Sequence, residues 1–156
     1  MNTGLWAREV RDQVIRPTLR RMGDRYASES AVRLLCMTAA HESGFVYLRQ
    51  VGGPALGIYQ MEPPTFRDHM TWIRGDLAAV VTEHAGPAPA AERIIGDMAF
   101  ATIMARIHYW RRPEPLPDDV DGMAAYAKRW WNTPLGAATE RDYADAFDRL
   151  FPPVTW

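Results

Sequence analysis

Cysteine is nearly absent from this sequence of 156 residues: Cys36 stands alone. One thiol excludes an internal disulfide framework and is too few for a zinc finger. Lysine is as scarce, Lys128 being the only one, so the positive charge is almost all arginine. The 18 basic side chains meet 19 acidic ones, a formal net charge of -1. That balance speaks against nucleic acid as a partner, since a nucleic-acid binder usually carries a basic excess, and the arginines are scattered among acids. No apolar run approaches the roughly 18 residues needed to cross a bilayer, so no membrane insertion is expected. The stretch from Met1 to Glu9 has no apolar h-region, and no signal peptide is expected there. Internal repeats, low-complexity tracts, a Gly-x-Ser-x-Gly elbow and a phosphate loop are likewise missing.

What is present is an ordinary globular mixture, 47% hydrophobic and 24% charged. The length fits one domain over 1–156, long enough to bury roughly two-thirds of its extended surface without a disulfide or metal staple. Proline and glycine cluster at 52–57, 63–64, 86–89, 113–117, 134–136 and 152–153, and cut the chain into helix-length pieces. A first helix is expected over 3–22, bent at Pro17. A second starts at a Ser28 or Ser30 cap and runs to about Ser43, with Val32, Leu35, Cys36 and Ala39 on one face. Shorter helices are expected at 64–73 and 76–85. The segment 91–111 is apolar nearly all round, which predicts the buried centre of the domain. Helices at 118–131 and 139–151 complete the set, the last opened by Thr139 with Asp142 three residues on. Only 45–61 reads as strand or irregular chain. The fold class is therefore mainly α, a single helical domain with a small irregular or β segment.

The stretch Ala39-Ala40-His41-Glu42-Ser43-Gly44 carries the most chemistry. Glu42 continues the apolar face of its helix, three residues after Ala39 and seven after Leu35. It also sits in the last turn, where the negative end of the helix dipole disfavours a carboxylate, and burial pushes the same way. A carboxyl held protonated near neutral pH is what a general acid needs to protonate a glycosidic oxygen. Helix-end pairing with an arginine is the bland alternative.

Glu42-Ser43 at a helix end, followed by a Gly-rich turn and then Gly57-Ile58-Tyr59-Gln60-Met61, resembles the signature of the lysozyme-like lytic transglycosylases. The family's third element, Ala-Tyr-Asn on a helix, has its counterpart in Ala125-Tyr126-Ala127, with alanine where the family has asparagine. The resemblance implies a lysozyme-like fold of the goose-type or lytic-transglycosylase kind. It implies Glu42 as the catalytic residue and Ser43, Gly57, Tyr59, Gln60, Glu62 and Tyr126 in substrate binding, with peptidoglycan glycan strands as partner. It implies no metal or organic cofactor. The reaction would cut the bond between N-acetylmuramic acid and N-acetylglucosamine without water, leaving a 1,6-anhydro product. Trp130-Trp131-Asn132-Thr133-Pro134-Leu135-Gly136 is similar to a segment of bacteriophage lysozyme-like proteins. A phage enzyme, endolysin or virion-associated lysin, would stay in the host cytoplasm until released to the periplasm, or travel in the virion among other virion proteins.

Each of these residues also has a structural reading. Gln60 satisfies backbone groups in a loop as readily as it binds sugar. Gly57 leaves room for a close approach, here expected to be a ligand. Tyr126 lies on one face with Met123, Ala127 and Trp130, the spacing of core packing, and its hydroxyl is expected to seek a partner such as Glu42. Glu62, before Pro63-Pro64, either caps the following helix or acts as the second carboxylate of a hydrolytic muramidase. His41-Glu42 does not make a zincin motif, because position 45 is Phe. It does echo the His-Glu-Thr element of plant-type chitinase-like hydrolases. Cys36 and the other histidines read as core or solvated groups. Of the adjacent Trp130 and Trp131, set about 100° apart on a helix, at most one is expected in the core. Two classes of function remain: an enzyme acting on peptidoglycan, and a phage structural or glycan-binding protein that keeps the fold without turnover.

Overall fold

Pro17 can neither donate to the helix ladder nor avoid the carbonyl one turn back. In the computed structural model, which describes residues 3–133 and 135–156 (side chains from Trp6 on, Thr155 apart), the first helix absorbs it with a wide turn. Helix α1 (Thr3–Val10) passes through a π-helical turn, Arg11–Ile15, into α2 (Arg16–Met22), and the Arg16 amide donates to the Arg11 carbonyl. The expected bend is thus a local widening just ahead of the proline. Helix α3 (Glu29–Glu42) begins where Ser28 Oγ accepts from the Ala31 amide at 3.2 Å. Helices α4 (Pro63–Trp72) and α5 (Asp76–Ala85) follow within a residue of expectation.

The apolar segment 91–111 is not one helix. A short α6 (Arg93–Gly96) ends at Asp97, whose carboxylate accepts from the Phe100 amide at 2.8 Å and opens α7 (Met98–Trp110). A side chain that competes for backbone amides makes a better cap than helix interior, so the chain restarts there. Residues Phe100 to Tyr109 of α7 are all buried, and α7 is the central helix. Helix α8 (Val120–Ala127) runs into a second π-helical turn, Lys128–Asn132. Helix α9 (Glu140–Leu150) opens with the expected capping box, Thr139 Oγ1 accepting from the Asp142 amide and Asp142 Oδ2 from the Thr139 amide. Pro134, one of the chain breakers, lies outside the described residues.

Helix α3 packs on α9, α8 and α7, while α2, α4, α5 and α6 surround α7, and one hydrophobic cluster reaches from Ala7 to Phe151. The described residues contain no β-strand. Between α3 and α4 the chain is a run of turns held by two isolated antiparallel bridges, Arg49 to Leu56 and Leu56 to Met61. This folded-back segment forms a wall facing the C-terminal end of α3. The molecule is mainly helical, with the 45–61 segment irregular.

Candidate active site

Glu42 is the last residue of α3 and opens into a cleft of about 490 Å³. Two segments line that cleft with it, Gln60, Met61 and Glu62 ahead of α4 and Trp131, Asn132 and Thr133 after α8. The volume lies within the range of small-ligand sites, and most of the lining side chains are polar, which suits a hydroxyl-rich ligand.

Tyr143, from α9, donates its hydroxyl to Glu42 Oε1 at 2.7 Å. Burial raises the Glu42 pKa from the ordinary 4.5 to about 7, and the Tyr143 hydrogen bond, which favours the anion, opposes only part of that rise. The second carboxyl oxygen remains to carry a proton. Glu42 is therefore protonated to a large extent near neutral pH and can switch between acid and base. The His41 ring lies 3.9 Å from the Tyr143 ring, tilted by 31°, and packs against the phenol. Burial lowers the His41 pKa, so the imidazole brings little charge next to Glu42 near neutrality.

Ser43 is buried and does not face the cleft. Its hydroxyl donates to the Ile58 carbonyl at 2.6 Å, with the Ala39 carbonyl at 3.2 Å, and accepts from the Phe45 amide. It is a strut between the end of α3 and the opposite wall. Gly57 is also structural. It has φ +75°, and a Cβ there would stand 2.4 Å from Ile94 Cγ2 and 2.9 Å from the Ile94 carbonyl. The close approach expected for a ligand is to α6. Tyr59 is 1% exposed, its hydroxyl bonded to Thr102 Oγ1 at 2.9 Å, and belongs to the core.

Gln60 and Glu62 do line the cleft. Gln60 adopts a left-handed backbone with φ +52° and donates Nε2 to the Gly57 carbonyl at 2.8 Å, leaving its amide oxygen toward other partners. Glu62 occupies the N-cap position of α4 but makes no side-chain cap bond, and it is exposed. Tyr126 does not reach Glu42. Its hydroxyl donates to the Glu114 carbonyl at 3.0 Å, and Ala127 is fully buried beside it. The phenol at Glu42 comes instead from Tyr143, a residue the motif does not point to. Tyr143, Ala146, Phe147 and Leu150 form the apolar stripe of α9, and a tyrosine in such a stripe needs a partner for its hydroxyl.

Beneath the cleft two buried histidines are wired in series. Arg111 Nη1 donates to His69 Nδ1 at 2.7 Å and also holds Asp68. An arginine only donates, so the His69 proton sits on Nε2 and goes to His108 Nδ1 at 3.0 Å. His108 Nε2–H then donates to the Trp130 carbonyl at 2.6 Å. Burial lowers the pKa of His69 to about 3 and that of His108 to about 4, so both rings are neutral. Trp131 packs on this floor, 4.7 Å from the His108 ring and 5.6 Å from that of Tyr109. Neither Trp130 nor Trp131 is fully buried. The rim beyond them is gathered by Lys128, whose Nζ donates to Asn132 Oδ1 (2.8 Å), the Thr133 carbonyl (2.9 Å) and the Gly136 carbonyl (2.6 Å). Among the described residues no group of three or more His, Cys, Asp or Glu side chains could hold a metal ion. Comparison with protein-family models, with curated proteins and with solved structures finds no match to this chain.

Proposed function

We propose that this protein cleaves peptidoglycan glycan strands between N-acetylmuramic acid and N-acetylglucosamine on a lysozyme-like scaffold, as a lytic transglycosylase. The observation that carries the reading is the Glu42 carboxyl, half-buried at the head of a polar cleft, with a pKa of about 7 and a phenol on one oxygen. Protonated Glu42 gives its proton to the glycosidic oxygen as the bond to the muramyl C1 breaks, and the substrate's own N-acetyl group assists at C1. The resulting carboxylate then takes the proton of the muramyl 6-hydroxyl as that oxygen bonds to C1 and closes the anhydro ring. Atoms balance without water. Near pH 7 the group is poised for both roles, the condition under which acid–base catalysis is most effective.

Glu62 supports a second reading. Exposed, on the same cleft and uncommitted to its helix, it is available to activate a water for hydrolysis. Muropeptide masses separate the two, the anhydro product being lighter by one water. Incubating the protein and its Glu42→Gln variant with peptidoglycan tests the site. The variant keeps the shape and loses the proton, and activity is expected to fall by at least ~10²–10⁴-fold. A variant that degrades the wall at a near-normal rate would remove Glu42 as the acid, and a wild-type protein that releases no muropeptide would favour a binding role.

A further inference from the structure

The cleft does not end at Trp131. It continues into a second concavity of about 590 Å³ that shares Thr65, His108, Trp131 and Thr133 with the first and is lined further by Arg112, Arg129 and Trp130 and by the carboxylate of Asp68. The Trp130 ring lies against both guanidinium groups, 5.0 Å from Arg112 Cζ and 4.5 Å from Arg129 Cζ. The charges here are unequally matched. Arg111 is held by Asp68, and Arg129 pairs with Glu114 at 3.2 Å. Arg112 has no carboxylate partner among the described residues. Its Nη2 lies 3.3 Å from His108 Nε2, but that nitrogen already carries a proton for the Trp130 carbonyl, so the contact joins two donors. Arg112 Nε and Trp130 Nε1 are both buried without a hydrogen-bond partner. Burial, and then the like charge of Arg111, work against the cation, and Asp68, already paired with Arg111, supports it only at a distance. Unpaired buried donors of this kind are uncommon in native structures and call for an explanation.

We propose that this end of the cleft is an anion subsite that takes a carboxylate of the peptide carried by the glycan strand, with Arg112 as its principal ligand. The proposal rests on the glycan-cleaving reading and extends it: the protein prefers peptide-bearing strands to naked ones. A planar carboxylate matches the guanidinium fork, and the muramyl residue that presents its C1 to Glu42 also bears the peptide, so both groups arrive on one ligand.

Binding to the full chain tests this with three probes: peptide-bearing glycan fragments, the same fragments stripped of peptide, and the free acidic stem peptide. The wild-type protein is expected to bind the peptide-bearing fragments roughly ten- to hundredfold more tightly than the stripped ones, the value of a charge-assisted pair. Arg112→Gln should erase that difference and leave affinity for stripped fragments unchanged. Arg112→Lys, which keeps the charge without the fork, should retain part of it and guards against misfolding of the first variant. The free peptide should shift the Trp130 indole N–H resonance in the wild type and not in Arg112→Gln. Equal affinity for both fragments, or an Arg112→Gln loss that falls on both alike, overturns the subsite while leaving glycan binding in place. Peptide binding through Arg112 without any glycan binding would keep the subsite and overturn the glycan reading.

Discussion

Replacing Glu42 by Gln reports on more than activity. The Glu42 pKa lies at about 7 in the folded protein and at the ordinary 4.5 when the chain is unfolded. The folded state therefore holds this proton more tightly. Stability from that proton is fully present below pH 4.5, declines as pH rises between the two values, and is gone above about 7. At about 1.36 kcal/mol per pH unit the gap amounts to about 3 kcal/mol. Glutamine does not titrate, so its variant lacks this slope. Other groups act in the opposite sense: His69 and His108, with pKa values lowered to about 3 and about 4, cost stability as pH falls below the usual histidine range. They act equally in both proteins and cancel in the difference. Urea denaturation of wild type and Glu42→Gln from pH 4 to pH 9 should give a stability difference that shifts by about 3 kcal/mol in favour of the variant as pH rises. A constant difference across that range, or one of the opposite sign, would refute the burial account of Glu42.

Three further outcomes follow from the same geometry. Tyr143→Phe removes a hydrogen bond that favours the anion, so the alkaline limb of the pH–rate profile should move to higher pH, whereas a purely structural tyrosine would leave the limb in place. Gly57→Ala forces a left-handed backbone and a methyl onto Ile94, and a loss of about 1–3 kcal/mol is expected by denaturant melting, with wall-degrading activity retained where the protein is folded. Glu62→Gln should cost roughly 2- to 30-fold in rate if the muramyl hydroxyl is the nucleophile; a loss of ~10²–10⁴-fold with water-bearing products would assign Glu62 as the base.

The helices and their caps were legible because they rest on local signals. Ser28, Thr139 and Asp142 occupy the cap positions their side chains favour, and amphipathic stripes mark the faces between. The break at Asp97 was hidden inside a segment apolar on every side, where periodicity has no phase to lose. The same limit applies to the candidate site. Glu42 could be singled out from its place at the end of an apolar face. Its partner Tyr143 lies 101 residues away, and no local pattern joins them. Gly57 and Tyr59 show the converse ambiguity: the first packs on α6 and the second bonds to Thr102 in the core. A glycine required by a neighbouring helix and one required by a ligand look alike in a sequence, as do a core phenol and a cleft phenol. The histidine pair has no ligand spacing to notice, because its two rings come from different helices.

Lys128 gives the molecule an unusual chemical simplicity. An amine-directed reagent finds one lysine side chain in the whole sequence, and all three protons of that ammonium are spent on the rim of the cleft. Acylation must wait until the rim lets go, and once it occurs the donors are lost and Asn132 and Thr133 are released. The rate at which Lys128 is labelled thus clocks the opening of one cleft wall, and a ligand bridging the two walls should slow it.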